Sequence, residues 1–137
     1  MAKPKKKKAK SYSRLKTDLD RVFSLWVRRR FADPLGHATC VSCGLRAPWQ
    51  SLQAGHFVSR SYLATRFEPL NTHSQCVQCN IFKKGNLAAY AAWAVNRYGM
   101  YWPARMVALS KVPTKYSRSD LQEMIGDYER RLEQLLQ

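Results

Sequence analysis

Two short spacings constrain this chain more than anything else in it. Cys40-Val41-Ser42-Cys43 and Cys76-Val77-Gln78-Cys79 are both C-x-x-C, and together they hold all four cysteines. Four thiolates in two such pairs can meet around one tetrahedral zinc at about 2.3 Å each. Disulfides and a thioredoxin-like redox site are the competing readings. Disulfides need an oxidising compartment, and the basic N-terminal stretch has no apolar signal-peptide core behind it. A redox site needs βαβ patterning, which neither motif has. A structural zinc held by Cys40, Cys43, Cys76 and Cys79 is therefore expected. Such a site is coordinatively closed, so any chemistry must come from other residues.

Charge points to the partner. The 137 residues carry 24 Lys+Arg against 9 Asp+Glu, a net charge of +15. Residues 1–30 hold twelve Lys or Arg and two Asp (net +10), and residues 31–118 hold ten with only Asp33 and Glu68 (net +8). Residues 119–137 alone are acidic, with two Arg and five acids (net −3). The middle stays basic without help from the Lys-rich start, and nucleic acid is the default partner of such a surface. The length allows one domain with a modest core. No apolar run is long enough for a membrane span, and a cytoplasmic location is expected.

The chain divides into a tail and one domain. Residues 1–12 form a Lys-rich tail expected to be disordered without a polyanion, and residues 13–137 form the domain. From Ser13 to Phe31, Leu15, Leu19, Val22, Phe23, Trp26 and Val27 recur at helical spacing. Ser13 is the expected cap, and Arg28, Arg29 and Arg30 lie on the cationic face. A second helical stripe runs from Leu87 to Tyr98 and stops at Gly99, and Pro103 suits the first turn of a short helix. Ser119-Asp120-Leu121-Gln122 is the expected capping box of the last helix. Leu121, Met124, Ile125, Tyr128, Leu132, Leu135 and Leu136 follow as its apolar stripe.

Between and after the cysteine pairs lie His56, Asn71 and Asn80. The order His…Asn…Cys-x-x-Cys-Asn resembles HNH (His-Me finger) nucleases. More narrowly, Gln53-Ala54-Gly55-His56-Phe57, Arg66-Phe67, Asn71-Thr72-His73-Ser74-Gln75-Cys76, Cys79-Asn80 and Gly85-Asn86…Tyr90 resemble the NinG/Rap recombination nucleases of lambdoid phages. The similarity covers about residues 14–136, with a Lys-rich tail where that family carries a zinc-binding extension. It implies an α+β fold: a zinc-stabilised ββα-metal core flanked by N- and C-terminal helices. It also implies a metal-dependent endonuclease acting on branched recombination intermediates such as Holliday junctions and D-loops, inside the bacterial host.

The same resemblance assigns roles. His56, on a β-strand, is the general base, since a neutral imidazole accepts a proton near neutrality. Asn80 begins the core helix and offers its side-chain oxygen to Mg²⁺ or Mn²⁺, and Asn71 hydrogen-bonds in the loop and fixes the base. Where many HNH enzymes carry a second metal ligand just before the base, Ala54-Gly55 stand here. Gln53 occupies the place of an Asp found in DRGH-type nucleases. His73 is open between three roles: the missing ligand, a phosphate contact, or a buried hydrogen-bonding residue. Arg60 and Arg66 are candidate clamps for the scissile phosphate, and Lys83, Lys84 and Arg28–Arg30 candidate backbone contacts.

Other readings stay open at this point. A general duplex-nicking HNH endonuclease fits the same residues. A non-catalytic zinc module that only binds DNA explains the charge and cysteines, though not the His/Asn order. A two-metal carboxylate resolvase needs clustered acids, and Asp33 and Glu68 are too few. The acidic last helix can form a homodimer seam, placing one site on each symmetry-related strand of a junction, or it can lie on the chain's own first helix.

Overall fold

Amphipathic helices at both ends of the chain build the main core. The computed structural model describes residues 3–4 and 8–136, so the tail expected to be disordered lies partly outside them. α1 spans Tyr12–Arg29, one residue earlier than expected. The cap is Ser11, whose hydroxyl accepts from the Arg14 N–H, and not Ser13. α5, Arg118–Leu135, also starts early: Ser117 and Asp120 form its capping box, each side chain accepting from the other's backbone N–H. Leu15, Leu19, Val22, Phe23 and Val27 of α1 bury themselves against Leu121 and Tyr128 of α5. Met124, Ile125 and Leu132 pack against the same cluster. Of the two placements open to the α5 stripe, it largely packs on the chain's own first helix, leaving Leu135 and Leu136 exposed.

Two small antiparallel sheets lie between these helices. β1 (His37–Thr39) and β2 (Arg46–Pro48) form a hairpin with the first cysteine pair at its tip. β3 (Gln53–His56) pairs with β4 (Thr72–Gln75), Gly55 opposite His73 and His56 opposite Thr72. The connection carries the short α2, Leu63–Arg66. β4 is buried throughout and runs straight into the second cysteine pair.

The regular helix expected to begin at Asn80 is absent. In its place stands one π-helical turn, Gln78–Phe82, and the next helix, α3, is Leu87–Tyr98. The reason lies at Lys84, Gly85 and Asn86, whose φ angles of 50°, 95° and 42° form a left-handed run that ends any right-handed helix. α3 and α4 (Trp102–Ser110) then close a second aromatic core, Tyr90, Ala94, Trp102 and Met106. The observed architecture is α+β with flanking helices.

Candidate active site and zinc centre

The cysteine pair at the β1–β2 tip and the pair after β4 converge as their spacing implies. The sulfurs of Cys40, Cys43, Cys76 and Cys79 all lie within 4.8 Å of one another. Cys43 and Cys76 are 3.7 Å apart, against an edge of about 3.8 Å in a tetrahedron with zinc–sulfur bonds of about 2.3 Å. The Cys79 N–H donates to the Cys76 sulfur and the Asn86 amide to the Cys79 sulfur. Burial pushes the Cys79 thiol up to about 12, so the thiolate there requires a cation beside it. Four cysteines able to bind one zinc therefore pin β1–β2, the end of β4 and the π-helical turn together.

Of that junction, the π-helical turn reaches a groove of about 530 Å³. Asp20, Phe23 and Arg28 of α1 line the opposite side, and Gln53, His56, Arg60, Asn80 and Ile81 complete it. His56 ends β3, and its Nε2 lies 2.8 Å from the Arg66 carbonyl. A carbonyl only accepts, so Nε2 carries the hydrogen and Nδ1 of the neutral ring keeps its lone pair. Burial lowers the His56 pKa, the Arg60 guanidinium adds to that, and the Arg66 hydrogen bond and Asp20 oppose it.

Asn71 supports this arrangement from below. It is fully buried; its Oδ1 accepts from the Val58 N–H (2.9 Å), and its Nδ2 donates to the Val58 and Thr65 carbonyls (3.0 and 3.2 Å). It thereby holds the residue preceding Arg66, whose carbonyl holds His56. Asn80 donates through Nδ2 to Gln53 Oε1 (2.8 Å), leaving Oδ1 for another partner.

His73 lies apart from this groove, on the face of the strand pair that meets α3. The Tyr90 hydroxyl donates to the Gly55 carbonyl (2.8 Å), so it accepts from His73 Nδ1 (2.8 Å), and His73 Nε2 accepts from Tyr98 (2.9 Å). Both ring nitrogens are taken, and burial lowers the pKa to about 3. Of its three candidate roles, the structure displays the hydrogen-bonding one and leaves no nitrogen for a metal or phosphate.

The cations also sort themselves. Arg28 and Arg60 reach the groove. Arg66 does not serve as a free clamp: its guanidinium grips Asp20 at both oxygens (2.9 and 2.5 Å), and that ion pair occupies it. Arg30 turns inward, donating to the Pro69 and Thr72 carbonyls and lying over Trp26, so it holds β4 to α1 and offers nothing to DNA. Arg29 covers the Trp49 ring. Lys83 and Lys84 are exposed just beyond the groove.

Two features of this region escape sequence reasoning. Asp20 arrives from α1, 36 positions before His56 in the chain; its only signal is an acid on a cationic helix. Paired with Arg66 and 3.6 Å from Arg60, it is a single engaged carboxylate, not the cluster a two-metal resolvase needs. Gly55 is required by a close approach: a Cβ there would fall 1.8 Å from Gln75 Oε1. The Gln75 amide crosses that space to donate to Ser42 Oγ and the Gly85 carbonyl.

Fold and site define a class: a small α+β domain whose four-cysteine cluster braces a strand pair and turn beside a cationic groove bearing a histidine and an asparagine. Within it, the chain belongs to the NinG family, whose model, the Bacteriophage Lambda NinG protein, matches residues 1–137. It is 41% identical over 63 residues to protein ninG of Escherichia phage 933W and 39% over 64 residues to that of Salmonella phage P22. It is 40% identical over 63 residues to that of Escherichia phage lambda. Each match covers 44% of this chain and 29–30% of the relative, so the chain matches less than a third of the curated relatives' length. No solved structure matches. Among the described residues no helix is long and apolar enough to cross a membrane.

Proposed function

We propose that this chain is a metal-dependent DNA endonuclease of the His-Me finger type, acting on branched recombination intermediates in the cytoplasm of a phage-infected host. The observation that carries the reading is His56, with Nε2–H tied to the Arg66 carbonyl and Nδ1 left to accept, in a groove lined also by Asn80, Arg28 and Arg60. His56 Nδ1 takes a proton from water as the water oxygen bonds to phosphorus and the bond to the leaving oxygen breaks. Arg28 and Arg60 hold the phosphate oxygens, and Asp20 holds Arg66 and with it the carbonyl that orients the base. Asn80 Oδ1 would hold Mg²⁺ or Mn²⁺, which would supply positive charge to offset that developing on the phosphate and leaving oxygens. The strand pair and π-helical turn play the part of a ββα-metal core with its helix shortened. The zinc site has a structural part only.

The test is cleavage of a four-way junction and a matched linear duplex with Mg²⁺, using wild type and His56→Ala. Wild type should cut the junction, and His56→Ala should cut about 10²- to 10⁴-fold more slowly while binding DNA nearly as well. Equal cutting of both substrates would make it a general nicking enzyme. Wild type that binds DNA but never cuts it would be a zinc DNA-binding module.

A further inference from the structure

The turn after Asn80 carries two large apolar side chains that the described fold leaves uncovered: Ile81 is 55% and Phe82 70% exposed. Exposed Lys83 and Lys84 follow directly. Ile81 is also a wall of the groove that holds His56 and Asn80, so the patch is continuous with the candidate site.

This tip is held from three directions. Asn80 is tied to Gln53 (2.8 Å), the Gly85 carbonyl to Gln75 (2.7 Å), and Asn86 to the Cys79 sulfur (3.5 Å). The backbone doubles back through the left-handed run at residues 84–86. An apolar pair fixed in water beside two lysines fits a partner that is both anionic and flat-faced. Nucleic acid offers phosphates and base faces a few ångströms apart, and a chain of net charge +15 is drawn to it.

We propose that Ile81 and Phe82 are a wedge that enters an unstacked base step of DNA next to the phosphate in the groove, with Lys83 and Lys84 on the flanking phosphates. The proposal rests on the reading of the groove as a DNA-cleaving site. Inserting an apolar side chain costs the stacking of the step it opens. At a branch point that stacking is already weakened, so the wedge enters there more cheaply than in a continuous duplex. Branch preference then follows from deformability, without any base-edge contact.

The wedge is tested with the full chain, without added Mg²⁺ or Mn²⁺, on a four-way junction carrying 2-aminopurine at the branch and on a linear duplex carrying it at the same step. Wild type should raise the junction's fluorescence. Phe82→Ala should cut that rise at least about fivefold and weaken junction binding about tenfold, with duplex affinity changed less than about twofold. Phe82→Trp should restore the rise. Zinc content, read on each variant, should not change, since both side chains are exposed. No rise with wild type, or an undiminished rise with the Ile81→Ala/Phe82→Ala double variant, would overturn the wedge. Cleavage is scored separately with Mg²⁺: unstacking without cutting would sink the nuclease reading alone, and cutting with undiminished unstacking in the double variant would sink the wedge alone.

Discussion

The hydrogen bond from His56 Nε2 to the Arg66 carbonyl decides which ring nitrogen can take a proton, and burial decides the pH range in which it is free. In the proposed reaction the working form is the neutral ring. Because burial holds the pKa below its ordinary 6.5, the Mg²⁺-dependent rate should rise with pH along a limb whose midpoint lies below that value. Asp20 is the carboxylate that opposes this lowering. Asp20→Asn should therefore move the acid limb to still lower pH, and should slow the plateau rate about 10- to 100-fold by releasing Arg66 and its carbonyl. A pH–rate profile of the two proteins checks both effects, and an unmoved limb would remove Asp20 from the site's electrostatics.

At the scale of elements, the cysteine cluster and Gln75 do the joining. β1–β2 and β3–β4 are separate two-stranded sheets, too small to stand alone. Zinc should be present at about one per chain, and Cys76→Ser should lose both the metal and the folded state, because metal binding and folding are one equilibrium in such sites. Elemental analysis with circular dichroism reads this directly. Gly55→Ala forces a Cβ into the Gln75 amide and should cost about 1–3 kcal/mol. In Gln75→Ala the space is open, so the two substitutions should be clearly non-additive in a double-mutant cycle of urea unfolding. Additive costs would mean that the strain is relieved elsewhere.

For the whole molecule, α1 is the organising element. One face packs on α5, Asp20 and Arg28 reach the groove from its other positions, and Phe23 of the packed face also lines it. Leu121, fully buried in that interface, should cost about 2–5 kcal/mol on change to Ala with zinc retained. Since the apolar stripe of α5 is spent inside the chain, the protein should run as one chain in light scattering at micromolar concentration. Leu132→Glu should lower its stability without changing its mass. A two-chain wild-type mass that Leu132→Glu halves would show the seam is shared between copies after all.

The cysteine spacing, the helical stripes and the His56/Asn71/Asn80 order were legible because each is a local pattern: ligand geometry, a 3.6-residue period and a motif need only neighbouring residues. The last helix is capped at Ser117 rather than Ser119, and a π-helical turn stands where a regular helix is expected from Asn80, because the competition between nearby serines and the left-handed run at 84–86 act below the level of periodicity. Beyond reach were the facts set by which surfaces meet. Arg30 and Arg66 read as free cations until the fold supplied two carbonyls and Asp20. His73 read as a possible ligand until Tyr90 and Tyr98, 17 and 25 positions away, took its nitrogens. Charge and residue type travel with the sequence. Whether a polar side chain faces a partner or the solvent is decided only when distant segments are packed against it.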